Sequence, residues 1–194
     1  ALDEWVLQEA FRDAAIINQR FPSDPPLYLS VNISTQLIKS PGLDDMLKSH
    51  LKDSKLNPDS IKIEITERAG LTDDEETLQT LKNIREQGVG VLLDDFGTGY
   101  STLSYLLQFP VEALKIDQSF THMLTKNPDG YKIIETLKAL SSHLKINLIA
   151  EGIETKQQLE LLQELECDYG QGFLFSKAVD MESAVEFIKN NLKD

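Results

Sequence analysis

Leu92-Leu93-Asp94-Asp95-Phe96-Gly97-Thr98-Gly99-Tyr100-Ser101 decides the reading of this chain. An apolar run ends in two adjacent carboxylates, and a glycine-rich turn follows at once. Neighbouring aspartates at the end of a buried strand repel each other and stay ionised only beside cations or well-placed donors. The two glycines permit positive φ and a close approach by a ligand or another backbone. The pattern points to a metal site at a strand end.

Outward from this stretch, short β-type runs alternate with amphipathic helical patterns. Strands are expected near Tyr28–Ile33, Ile61–Thr66, Val89–Asp94, Ala113–Ile116, Asn147–Glu151 and Tyr169–Phe173. Helices are expected over Leu2–Gln19, Gln36–Lys52, Asp73–Gln87, Ser101–Gln108, Tyr131–His143, Lys156–Leu165 and Met181–Leu192. Thr72 with Glu75 and Thr155 with Gln158 have the spacing of capping boxes. Pro22 to Pro26 reads as a loop into the first strand. Alternating βα units imply a parallel sheet, and no linker interrupts them, so residues 1–194 read as one domain.

Within the strands apolar and polar residues alternate. Leu29, Val31 and Ile33 oppose Tyr28, Ser30 and Asn32; Ile61, Ile63 and Ile65 oppose Lys62, Glu64 and Thr66. Strands of an open sheet covered on both faces are apolar throughout, whereas a closed βα barrel turns one strand face to its helices and the other inward. One polar residue stands near the C-terminal end of each strand: Asn32, Glu64, Asp94, Lys115, Glu151 and Gln171. In TIM-like (β/α) barrels those ends build the active site. Six units are legible where a complete barrel has eight and about 250 residues. The segment is therefore expected to be an incomplete α/β barrel lacking its first strands.

Composition bounds the function. Basic residues number 19 and acidic ones 32, a formal charge of −13, which argues against a groove tracking a nucleic-acid polymer. Bound cations could still reverse the local field for a phosphate substrate. Cys167 is the only cysteine, so no intrachain disulfide is possible and a reducing compartment is expected. No apolar run approaches the roughly 18 residues of a membrane span; a cytoplasmic segment without membrane contact is the expectation. His50, His122 and His143 have no metal-site spacing. Cys167 reads as a small buried residue, and Trp5 and Val6 as core on the first helix.

Several motifs together resemble the EAL domain family, bacterial phosphodiesterases of cyclic di-GMP. They are Leu29-Ser30-Val31-Asn32-Ile33-Ser34, Ile63-Glu64-Ile65-Thr66-Glu67, the run from Asp94 to Ser101, Leu114-Lys115-Ile116-Asp117, Ala150-Glu151-Gly152-Ile153-Glu154-Thr155 and Gln171-Gly172-Phe173-Leu174-Phe175-Ser176. The early-strand Glu-Ala-Leu motif that names the family, whose glutamate is a metal ligand and whose place is upstream of the helix beginning near Leu2, is not in this sequence.

The resemblance implies that Asn32, Glu64, Asp94, Asp95 and Glu151 hold two Mg²⁺ or Mn²⁺ ions, with Asp94 between them. Oxygen-only ligands suit those metals. It implies that Lys115 orients the attacking water or neutralises the phosphate, with Asp95 and Glu151 also catalytic, and that Gln171 contacts the site. Glu67 and Glu154 would brace the loop after the aspartate pair, and Phe96 to Ser101 would carry homodimerisation. The implied reaction opens cyclic di-GMP to linear pGpG, with a sensory or GGDEF domain upstream in the parent protein. An inactive module that binds the nucleotide or a protein partner is the alternative. A metal-dependent lyase or isomerase could also use strand-end carboxylates and a lysine.

Overall fold

A computed structural model describes residues 2–67, 74–97 and 106–191. Its class is α/β, with six parallel strands whose order in the sheet follows the chain. The chain divides into two compact units. One comprises Ala1–Glu64, Glu75–Gly90 and Ala178–Asp194, the other Ile65–Asp74 and Val91–Lys177.

In the first unit, helix α1 (Leu2–Arg20) buries Leu7, Ala10, Phe11 and Ala14, a stripe at helical spacing. It packs on β1 (Leu29–Asn32) and on α3 (Leu43–Ser54), and α3 packs on α4 (Glu75–Glu86). The Asn18 amide donates to the carbonyls of Ala14 and Leu27 at 3.0 and 2.9 Å, tying the end of α1 to the loop that enters β1. Strand β1 lies parallel to β2 (Ile61–Thr66), with Asn32 opposite Glu64 in register. Helix α8 (Met181–Asn191) ends the described chain.

The second unit holds β3 from Val91 (the strand spans Gly90–Phe96), β4 (Ala113–Ile116), β5 (Asn147–Ala150) and β6 (Tyr169–Gly170). Leu92, Ala113 and Ile149 form a buried cluster across three of these strands. Helix α5 (Gln118–Met123) packs on α6 (Pro128–Leu144), which packs on β5. The box expected at Thr155 is present: its hydroxyl accepts from Gln158 N–H and the Gln158 side chain accepts from Thr155 N–H, opening α7 (Lys156–Glu164).

The structure corrects several expectations. The helix expected over Gln36–Lys52 is two, α2 (Thr35–Ile38) and α3, because Pro41 and Gly42 intervene and Gly42 adopts φ +88°. Strand β3 runs on to Phe96, and β6 stops at Gly170 because the chain turns back there, with Phe175 N–H donating to Gly172 O at 3.1 Å. Helix α5 has no counterpart in the expected set; six residues show too little periodicity, although Asp117 caps its start by accepting from Ser119 N–H. Trp5 is 58% exposed and Val6 also exposed, not core; they fall outside the Leu7–Phe11–Ala14 stripe. Cys167 is half-buried. Thr72 and residues 101–105 of the expected Ser101–Gln108 helix lie outside the described residues. No described helix is long and apolar enough to cross a membrane.

Candidate functional site

The geometry at the end of β3 depends on one backbone torsion. Successive residues of a regular strand point to opposite faces, so Asp94 and Asp95 should diverge. Instead Asp95 adopts φ +55°, and the β3–β4 register shifts between Leu93 and Phe96. This irregularity has the features of a β-bulge, which re-aims side chains. Asp94 Oδ1 accepts from the Asp95 N–H at 3.1 Å, which holds the turn. As a result Asp94, Asp95 and Glu151 each present a carboxylate oxygen within 4.8 Å of the others.

Lys115 reaches this cluster from the middle of β4. It is 3% exposed, and its ammonium lies 2.6 Å from Glu151 Oε1 and 3.0 Å from Asp94 Oδ1. Gln171 Nε2 donates to the same Glu151 oxygen at 2.8 Å. The Asp95 carboxyl is raised above its ordinary 3.8, first by burial, then by the charges of Asp94 and Asp117, with Lys115 opposing. Three acids around one base make an electronegative centre. With oxygen as the only ligand atom, this donor set fits a hard divalent cation such as Mg²⁺ or Mn²⁺.

The other proposed residues fall as follows. In the first unit, buried Glu64 stands beside exposed Asn32. In the second, buried Glu67 accepts from Gly97 N–H at 3.1 Å; residues 98–101 of the loop are not among those described. The Glu154 carboxylate lies 3.9 Å from His122 Nε2, a buried nitrogen. Sequence reasoning assigned no role to Asp117, whose charge reaches Asp95. The available signal was its place two residues after Lys115, just past the end of β4, where it caps α5.

A model of the EAL domain matches residues 1–178. The chain is 34% identical over 188 residues to the cyclic di-GMP phosphodiesterase NbdA of Pseudomonas aeruginosa, which covers 97% of this chain and 24% of that protein. The chain thus spans about a quarter of the length of that curated relative. It is similar to the crystal structure of the EAL domain of Mycobacterium smegmatis DcpA, with TM-score 0.92 and 32% identity over 100% of this chain and 86% of that one. It is also similar to Klebsiella pneumoniae BlrP1 in a manganese and cyclic di-GMP complex, with TM-score 0.80 and 29% identity over 90% of this chain and 44% of that one. The strand–helix succession and these likenesses establish the TIM-like α/β class, and the chain belongs to the EAL domain family.

Proposed function

We propose that this chain carries the metal-dependent hydrolysis of cyclic di-GMP to linear pGpG. The observation that carries the reading is the seating of Lys115 between Asp94 and Glu151, beside Asp95, at one strand end. Support comes from the relatives: NbdA is a cyclic di-GMP phosphodiesterase, and BlrP1 was solved with manganese and cyclic di-GMP.

Asp94, Asp95 and Glu151 would hold the cation, and Asn32 and Glu64 are proposed as further ligands on the strength of the motifs they stand in. A bound divalent cation supplies positive charge to phosphoryl oxygens and acidifies water. Lys115 is ion-paired with Glu151 and Asp94 and offers a fixed positive charge to a phosphodiester as negative charge builds on its oxygens. Its burial makes that charge worth more than it would be in bulk water. Gln171 donates to the same Glu151 oxygen and fixes its orientation. Glu67 holds the turn after the aspartates through Gly97; Glu154 is proposed to help. This reading also places a homodimer contact on the segment after Asp95. It expects further domains, sensory or GGDEF, on the same polypeptide, since the chain spans only part of NbdA.

The test is conversion of cyclic di-GMP to pGpG in Mg²⁺ or Mn²⁺, followed by chromatography. Asp94→Asn and Glu151→Gln are each expected to abolish turnover. Undiminished hydrolysis by either variant would overturn the assigned roles. Nucleotide binding without hydrolysis by the unaltered chain would favour a sensing module instead.

A further inference from the structure

We propose that Phe173, with Lys177 above it, is a stacking platform for a nucleobase of the substrate, a specificity determinant borne two residues after Gln171, which holds the acidic cluster. The inference rests on the phosphodiesterase reading and deepens it.

Phe173 is 64% exposed, the highest value of any described aromatic residue. The ring is not displayed by a slack loop. Ile153 N–H donates to Gln171 O at 3.1 Å, and Leu174 N–H donates back to Ile153 O at 2.9 Å. Between them Gly172 lies so close that a Cβ there would come within 2.2 Å of both Ile153 N and Ile153 O. The segment bearing Phe173 is therefore clamped against Ile153, two residues from Glu151. Gln171, two residues before Phe173, holds the Glu151 carboxylate. A rigidly held aromatic thus sits in the same few residues that complete the acidic centre.

Lys177 Nζ stands 5.7 Å from the Phe173 ring centroid, within cation–π range. Acidic residues outnumber basic ones 32 to 19, and this ring carries its cation two residues after Gln171, which holds Glu151. A purine has a broad π-face for the ring and acceptor atoms on its edge for an ammonium.

The test compares two phosphodiesters with the full chain: cyclic di-GMP, and methyl 4-nitrophenyl phosphate, which has no nucleobase. Phe173→Ala is expected to lower kcat/KM for the cyclic dinucleotide about tenfold relative to the simple ester, mainly through KM, and Phe173→Trp to restore it. An unchanged ratio, from equal losses or from none, overturns the proposal. Turnover of neither ester by the unaltered chain counts against the phosphodiesterase reading, not against the platform. Calorimetric binding of cyclic di-GMP in Ca²⁺ then decides: about tenfold weaker binding by Phe173→Ala supports the platform. Equal affinity, or no binding by the unaltered chain, overturns it.

Discussion

The Lys115 ammonium and the Glu151 carboxylate meet at 2.6 Å, with only 4% and 16% of their side-chain surfaces exposed. Such a pair is costly to break from one side, because the partner left behind keeps its charge without its counter-ion. Lys115→Met would leave Asp94, Asp95 and Glu151 facing one another. It is expected to destabilise the fold by about 3 kcal/mol in urea unfolding and to reduce turnover by at least about 100-fold. Saturating Mn²⁺ should return part of the lost stability, since a cation that binds only the folded state stabilises it. Equal stability of the variant and the unaltered chain without metal would show the lysine to be dispensable to the cluster.

Glu67 sets the turn after the aspartates by accepting from Gly97 N–H at 3.1 Å. Glu67→Ala strands that donor and is expected to cost about 1–3 kcal/mol. Glu67→Gln keeps an acceptor oxygen and should fall between. If the loop geometry controls chemistry, kcat drops in the same order while KM moves less.

Asp168 links β5 to α6: it accepts from Leu148 N–H and from Lys138 Nζ, each at 2.8 Å. Burial pushes its carboxyl upward, but hydrogen bonds from Lys138 and Leu148, the Lys138 charge and its own backbone N–H leave it below 3.8. A depressed folded-state value means that the unfolded chain takes up the proton first. The stabilisation is thus complete above about pH 4 and fades as pH falls through 3.8 towards the folded value. The stability gap between the unaltered chain and Asp168→Asn should therefore be constant from pH 5 to 7 and close on acidification. A gap that widens in acid would reverse the sign argued here.

Gly172→Ala places a methyl 2.2 Å from Ile153 backbone atoms, which cannot rotate away. The clamp must open, at a cost of about 1–3 kcal/mol. Gln171 would move with it, so the variant should lose turnover beyond what its melting temperature accounts for. Retained activity with a lowered melting temperature would separate the clamp from the chemistry.

Much of the architecture was readable before any coordinates. Ile61–Thr66 alternates cleanly, both it and Ala113–Ile116 are bounded as expected, and Thr155 with Gln158 has the reciprocal spacing that a capping box needs. Periodicity fails where an element is short or interrupted: α5 is six residues, and Pro41-Gly42 breaks a pattern whose apolar spacing continues across it. Trp5 shows that an apolar residue on a helix need not lie on its buried stripe. Asp94 and Asp95 were legible in the sequence as joint candidates, but the means by which strand neighbours converge was not. The convergence arises from φ +55° at Asp95, a torsion that the amino-acid order permits without announcing.

That torsion changes what a substitution at position 95 means. Left-handed backbone is tolerated by aspartate and asparagine but disfavoured for β-branched side chains. Valine or isoleucine there would remove one charge and also tend to swing the neighbouring carboxylate away. A homologue that kept every acidic ligand but straightened this bend would pass a motif search while its acids looked in opposite directions. Inventories of conserved letters will overcount working enzymes wherever competence is encoded in the shape of the main chain.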